Sequence, residues 1–170
     1  LHRRSSDLSA RAMTRHLIGR GYERIAIITG PDDTPGGRYR LVGFRDEMGE
    51  RFDPSLVEQD VYSSDAGEAA MTRLLRRAPD IDAVFAASDI MSVGAIAALR
   101  KAGRRVPEDV AVAGFDDSGL AATTDPPLTT MRQPWTEISR RMVEVLLEVV
   151  DGGPGQSIVL PTTLVPRASA

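Results

Sequence analysis

At 170 residues, 42% apolar and 26% charged, the chain has the composition of one globular domain large enough to bury its own core. A net charge of −3 without a basic face argues against nucleic acid as a direct partner, and the lack of cysteine removes disulfides and thiolate metal sites. No apolar run is long enough to cross a bilayer, and the opening LHRRSSD is not followed by a signal-type apolar stretch.

In chain order, Ser5, Ser6 and Asp7 are helix-capping types, and Ala10, Met13, Thr14, Leu17 and Ile18 then fall on one face at helical spacing. Gly21 ends that helix and residues 24–29 read as a buried strand. The turn-rich DDTPGG leads into a second helix carrying Arg40, Leu41, Phe44 and Met48. Residues 56–61 form a second strand with Tyr62 at its end, and Ser64 and Asp65 open a third helix through Leu74 and Leu75. Ala83 to Ala87 is a third strand, Asp89 to about Lys101 a fourth helix, and Val110 to Phe115 a fourth strand.

This alternation predicts an α/β fold, an open parallel sheet flanked by helices with right-handed crossovers. The end of the chain behaves differently. Pro134 opens a helix whose Trp135, Ile138, Met142, Val145, Leu146 and Val149 form one apolar stripe, a Gly-Pro break follows, and residues 157–165 are extended. In a parallel sheet, polar groups just past the carboxyl ends of strands face the ligand crevice. Asp116 and Asp117 stand there, and the chain passes the same edge again at Arg132 and Gln133.

Five blocks carry a resemblance: HLIGRGYERIAIITGP (16–31), RYRLVGFRDEM (38–48), the 84–110 block with VFAASDIMSVGAIAALRKAGRRVPEDV, VAVAGFDDS (110–118) and DPPLTTMRQP (125–134). In this order and spacing they resemble the effector-binding domain of the lactose/galactose repressor family of bacterial transcription regulators. The resemblance implies one lobe of a two-lobed domain like that of type I periplasmic binding proteins. Residues 1–170 would be mainly its C-terminal lobe, and the helix over 134–153 would belong to the other lobe. On that resemblance, the family's helix-turn-helix headpiece, hinge and about half of its N-terminal lobe would have no counterpart within residues 1–170.

The residues themselves allow two readings each. Asp116 offers carboxylate oxygens to ligand hydroxyls or caps the turn after its strand; the resemblance places it in the effector pocket. Asp117 reads as structural. Arg40 is a helix arginine or a guanidinium clamp, and the family's RxRLxGF pattern, matched by Arg38, Arg40, Leu41, Gly43 and Phe44, makes Arg40 the effector contact. Ser88 is an N-cap at a position where the family often has an effector-contacting Asn, and Asp89 is a first-turn acid favoured by the helix dipole. Tyr62 either packs or stacks on the apolar face of a sugar, and Gln133 matches a polar crossover position. His2 and His16 are too far apart to suggest a metal site, and His16 reads as a helix-surface residue. Trp135 reads as core of the other lobe. The DDTPGG loop is acidic and lacks Lys-Ser/Thr, so it is a poor phosphate cradle.

The resemblance thus implies a cytoplasmic, non-enzymatic sensor that binds a small sugar-like effector through Arg40, Asp116, Tyr62, Ser88 and Gln133. It needs no cofactor or metal, and has no catalytic residue and no membrane partner. Operator DNA would be reached only through the headpiece. A homodimer is implied as well, with Ile90, Val93 and Ala97 of the fourth helix near its axis. The alternative is a periplasmic-type sugar-binding protein of a transport system. A phosphate receiver fits poorly, since the third strand ends in Ser88-Asp89 and the one lysine lies near a helix end. The stripe on the last helix is expected to need cover from another chain.

Overall fold

A computed structural model of the protein describes residues 3–170. Its centre is a six-stranded sheet in the order β2-β1-β3-β4-β5-β6, with β1 Ile25–Thr29, β2 Val57–Gln59, β3 Ala83–Ala86, β4 Ala111–Asp116, β5 Thr129–Arg132 and β6 Thr163–Val165. The first five strands are parallel, whereas β6 runs antiparallel to β5, with Met131 opposite Leu164. The sheet is therefore mostly rather than wholly parallel.

The strand residues divide by parity, as side chains alternating across a strand must. Ile25, Ile27, Phe85, Ala113 and Phe115 point to one face, where they meet Met13 and Leu17 of α1 (Arg3–Gly19) and Phe44 and Met48 of α2 (Pro35–Met48). Ala26, Ile28, Val84, Ala86 and Val112 point to the other and meet Met71 and Leu74 of α3 (Ser64–Arg77) and Met91, Ala95 and Leu99 of α4 (Asp89–Lys101). Because both faces are covered, β1 and β3 are buried throughout, which is why they read as short continuous apolar runs.

Three helix starts use short polar side chains on orphan amides. Thr34 accepts from Gly37 N–H, Ser63 from Ala66 N–H and Ser88 from Met91 N–H. Helix α3 begins at Ser64, as expected, with Ser63 as its cap. Helix α1 begins upstream of the expected cap cluster, so Ser6 and Asp7 sit inside it; the side chain of Ser5 lies outside the described residues. Helices α3 and α4 approach closely through glycine. A Cβ on Gly94 would come within 1.9 Å of the Ser64 carbonyl oxygen, and one on Gly67 within 2.2 Å of that of Met91.

Two elements depart from the sequence expectation. The expected strand over 56–61 shrinks to Val57–Gln59, because Pro54–Leu56 forms a 3-10 turn capped by Asp53. Strand β5 went unassigned in the sequence, where TTMR follows a Pro-Pro elbow and lacks an apolar run. Its Thr129 and Thr130 are nevertheless fully buried. Thr129 Oγ1 donates to the Arg167 carbonyl and Thr130 Oγ1 to Asp89, so their polarity is met inside the fold. His16 is also half-buried rather than surface-lying; burial lowers its pKa, with Arg20 adding to the effect, although Ala170 opposes it.

Helix α5 (Trp135–Val150) follows directly and buries none of its residues. Its apolar face and the strap over 156–162 line an open groove that includes Ile138, Met142, Leu146, Ile158 and Leu160.

Candidate functional site

The carboxyl ends of β1, β3 and β4 bring the expected residues together. Arg40 is 8% exposed, and its guanidinium lies 3.7 Å over the Phe115 ring, held there by donation from Nη1 to the carbonyl of Ala87. Stacking one face of the guanidinium leaves its planar donor fork to point sideways. Nη2 stands 3.7 Å from Asp116 Oδ1, longer than a hydrogen bond, and Nε has no protein partner among the described residues. Burial lowers the Arg40 pKa, while Asp116, Tyr62 and Asp89 favour its charge.

Asp116 closes the opposite side. Its Oδ1 accepts 2.7 Å from Gln133 Nε2, and its backbone carbonyl accepts from Gln133 N–H and from Trp135 Nε1. Oδ2 faces no protein donor among the described residues. Burial raises the carboxyl pKa, against the pull of Arg40 and Gln133, and nearby Asp89 adds to the rise. The residue has φ 113 and its neighbour Asp117 φ 52, so two successive non-glycine residues lie at positive φ.

Tyr62 closes a third side. A Cβ on Gly30 would fall 2.1 Å from Tyr62 Cζ, so the ring lies flush against the backbone at the end of β1. A Cβ on Gly36 would meet Tyr62 Oη at 3.1 Å and the Arg40 guanidinium carbon at 3.8 Å, which places phenol and guanidinium side by side. Ser88, 4% exposed, spends a lone pair on Met91 N–H at 3.3 Å. Its hydroxyl proton remains able to donate. Arg40, Tyr62, Ser88, Asp116 and Gln133 thus share one edge of the sheet.

Asp117 is held by Arg132 Nε at 2.6 Å and Arg167 Nη2 at 2.7 Å, which fits a structural part. Its pKa is lowered: burial raises it, but the two arginines outweigh that. Arg38 turns away to the Asp32 carbonyl. Two residues at the site were read otherwise from the sequence. Trp135, read as core of the other lobe, is half exposed here with its indole N–H on the Asp116 carbonyl, and Asp89, read as a first-turn acid favoured by the helix dipole, is buried. Gly114, where a Cβ would fall 2.6 Å from Asp89 Oδ1, lets that carboxylate approach β4.

The edge can bind, through a cationic fork, a carboxylate, an amide, a phenol and a hydroxyl, all directed at small polar groups. Among the described residues no three His, Cys, Asp or Glu converge on a metal position, and no helix is long and apolar enough to cross a membrane. A doubly covered sheet with convergent polar groups at its carboxyl edge is the arrangement of a ligand-binding α/β domain.

Comparison with known proteins makes this specific. The family of periplasmic binding protein-like domains matches residues 14–170, and the chain belongs to it. The transcriptional regulator CelR of Thermobifida fusca is 45% identical over 164 residues, covering 94% of this chain and 48% of the regulator. A solved structure titled as a CelR–cellobiose complex superposes with a TM-score of 0.93 at 43% identity, over 98% of this chain and 52% of that one. The lac repressor bound to ONPG superposes with a TM-score of 0.90 at 28% identity, over 98% and 51%. The resemblance to the effector-binding domain of the lactose/galactose repressor family therefore holds. The chain spans about half the length of the curated relatives it matches.

Proposed function

We propose that this chain is the ligand-sensing and dimerising part of a lactose/galactose-repressor-type transcription regulator, with no enzymatic activity. A small sugar-like effector is held at the carboxyl edge by Arg40, Asp116, Tyr62, Ser88 and Gln133. The effector then biases operator binding by a headpiece outside residues 1–170. The observation that carries this is the Arg40–Asp116 pair, whose fork and carboxylate stand 3.7 Å apart, beyond hydrogen-bond distance, and so present donors and acceptors side by side to a hydroxyl pair. The charge of Arg40 is balanced by Asp116, with Asp89 near, so the edge favours a neutral polyol over a phosphate. The sugar named in the CelR complex supports the same chemical class.

Calorimetry with cellobiose and other neutral disaccharides tests this reading. Asp116→Asn and Arg40→Ala should each weaken binding by roughly 10–100-fold, the worth of a hydrogen bond to a charged group. Equal binding by both variants would remove the pair from the site.

Dimerisation is proposed through α4. Ile90, Val93 and Ala97 are half-buried on its outer side, while Met91, Ala95 and Leu99 fill the core. A twofold contact along this helix would cover them. Val93→Asp should shift sedimentation from dimer to monomer with the fold unchanged; a wild-type monomer at high concentration would refute it.

A further inference from the structure

Beyond the contact residues, one buried group remains without a part in the site as described. Asp89 is 1% exposed at the first turn of α4. An acid there is ordinarily explained by helix capping or the helix dipole, and both act well from the surface. Here Ser88 already caps the helix, so capping does not account for burying a carboxylate. Burial raises its pKa, against hydrogen bonds from Thr130 and Ser118, so the placement is costly.

Its two oxygens reach different elements. Oδ1 accepts 2.6 Å from Thr130 Oγ1 on β5, and Oδ2 accepts 2.7 Å from the backbone N–H of Ser118, just after the Asp116–Asp117 pair. The approach depends on Gly114, where a Cβ would fall 2.6 Å from Asp89 Oδ1 and 2.9 Å from Ser92 Oγ. A helix start is therefore tied through a single carboxylate to the loop that follows β4. That loop needs an anchor, since φ is 113 at Asp116 and 52 at Asp117, conformations that non-glycine residues hold only when their surroundings impose them. The other anchor, Asp117, relies partly on Arg132, whose side chain is 54% exposed.

We infer that Asp89 is a positioning residue for the effector site: through Ser118 N–H and Thr130 it fixes the loop conformation that turns the Asp116 carboxylate toward Arg40. The inference rests on the proposed effector site for its functional meaning, but the loop conformation can be read without any ligand. Trp135 is the sole tryptophan, and its indole N–H donates to the Asp116 carbonyl at 3.2 Å. Its resonance in a proton–nitrogen correlation spectrum thus reports the loop directly.

In the unliganded chain, Asp89→Ala should move the indole resonance toward the solvent-exposed position. Asp89→Asn should restore it, since an amide oxygen can accept from Ser118 while the amide nitrogen donates to Thr130 Oγ1. Ile81→Ala, at the amino end of β3, should lower stability without moving the resonance. A folded Asp89→Ala with an unmoved indole would overturn the inference. If that variant does not fold, Thr130→Val decides instead: a partial shift supports the role, and an unmoved resonance overturns it. Titration with cellobiose adds a second reading, in which Asp89→Ala binds about tenfold or more weakly and Asp89→Asn nearly normally. Sugar binding equally weak in the unaltered chain and in Asp116→Asn would count against the proposed function, while the indole shift would still decide the part played by Asp89.

Discussion

Helices α3 and α5 are built from similar material and meet different fates. Both are amphipathic, and both carry arginines and glutamates on their polar sides. Helix α3 sets Ala66, Ala70, Met71 and Leu74 into the sheet, with Gly67 against α4. Helix α5 buries nothing, and its Met142, Val143, Leu146 and Leu147 are each more than half exposed. An amphipathic pattern therefore fixes that a helix forms and which face is apolar, but not what that face meets. What holds α5 as a helix within the chain is local: Arg140 and Arg141 each bridge Glu137 and Glu144.

The largest expected effect sets the two helices against each other. Leu74→Ala should cost about 2–5 kcal/mol in urea unfolding, the usual range for a fully buried leucine. Leu146→Ala should stay within about 0.5 kcal/mol, as for exposed positions away from structural features. A comparable loss at Leu146 would mean that α5 has cover in solution, and a concentration dependence of that loss would identify the cover as a second copy.

Gly94→Ala comes next. The added methyl would meet the Ser64 carbonyl and the Glu68 amide, both backbone, so α3 and α4 must move apart. Overpacking of this kind costs typically about 1–3 kcal/mol. Among the described residues, α5 makes no comparably close packing with another helix.

The contrast also explains what the sequence disclosed. The sheet and its first four helices were legible because each buried run is bounded by a cap or a turn residue, as at Thr34, Ser63 and Ser88. Asp116 and Ser88 stood out as candidates because they follow strands, whereas Arg40, inside α2, was singled out by the RxRLxGF resemblance. Strand β5 was not legible, because Thr129 and Thr130 are buried as polar residues whose partners, Arg167, Ala170 and Asp89, lie about 40 residues away in the chain. Asp89 was hidden for the same reason. A carboxylate after a cap looks solvated until the fold brings Thr130 and Ser118 to it. Local pattern fails wherever a polar group is satisfied at long range.

Asp117 offers a medium effect with a distinct pH signature. Its two arginines hold its pKa below the ordinary carboxylate value, so the stabilisation is fully present above about pH 4 and is lost as pH falls through the lowered value. Asp117→Asn should therefore cost about 1–2 kcal/mol at neutral pH, discounted for the half-exposed Arg132, and progressively less in acid. Asp89 and Asp116 have the opposite sign. Burial raises both, so they favour the fold at low pH and that contribution is lost as pH rises through their raised values. Removing Asp117 should make the loss of stability in acid shallower without abolishing it, because Asp53, Asp60, Asp109 and Glu137 also have lowered pKa values and carry the same sign. A variant whose stability declines in acid in parallel with the unaltered chain would show that its arginine pairs carry no linked stability.

The smallest expected effect lies on α5 itself. Each of its arginine–glutamate pairs is surface-exposed and spaced at three or four residues, worth roughly 0.2–0.5 kcal/mol to a helix and weakened by salt. Because α5 lends no buried side chain to the sheet, breaking these pairs should not reach the global unfolding transition. Arg140→Ala with Arg141→Ala should instead speed amide exchange within 135–150 while leaving protection in β1, β3 and β4 unchanged, and added salt should produce part of the same change in the unaltered chain. Local opening of α5 below the free energy of global unfolding is the behaviour of an element with few buried contacts. Should the double variant lower the unfolding midpoint of the whole chain, α5 must be coupled to the sheet through the 156–162 strap, and the two regions compared above would be one cooperative unit.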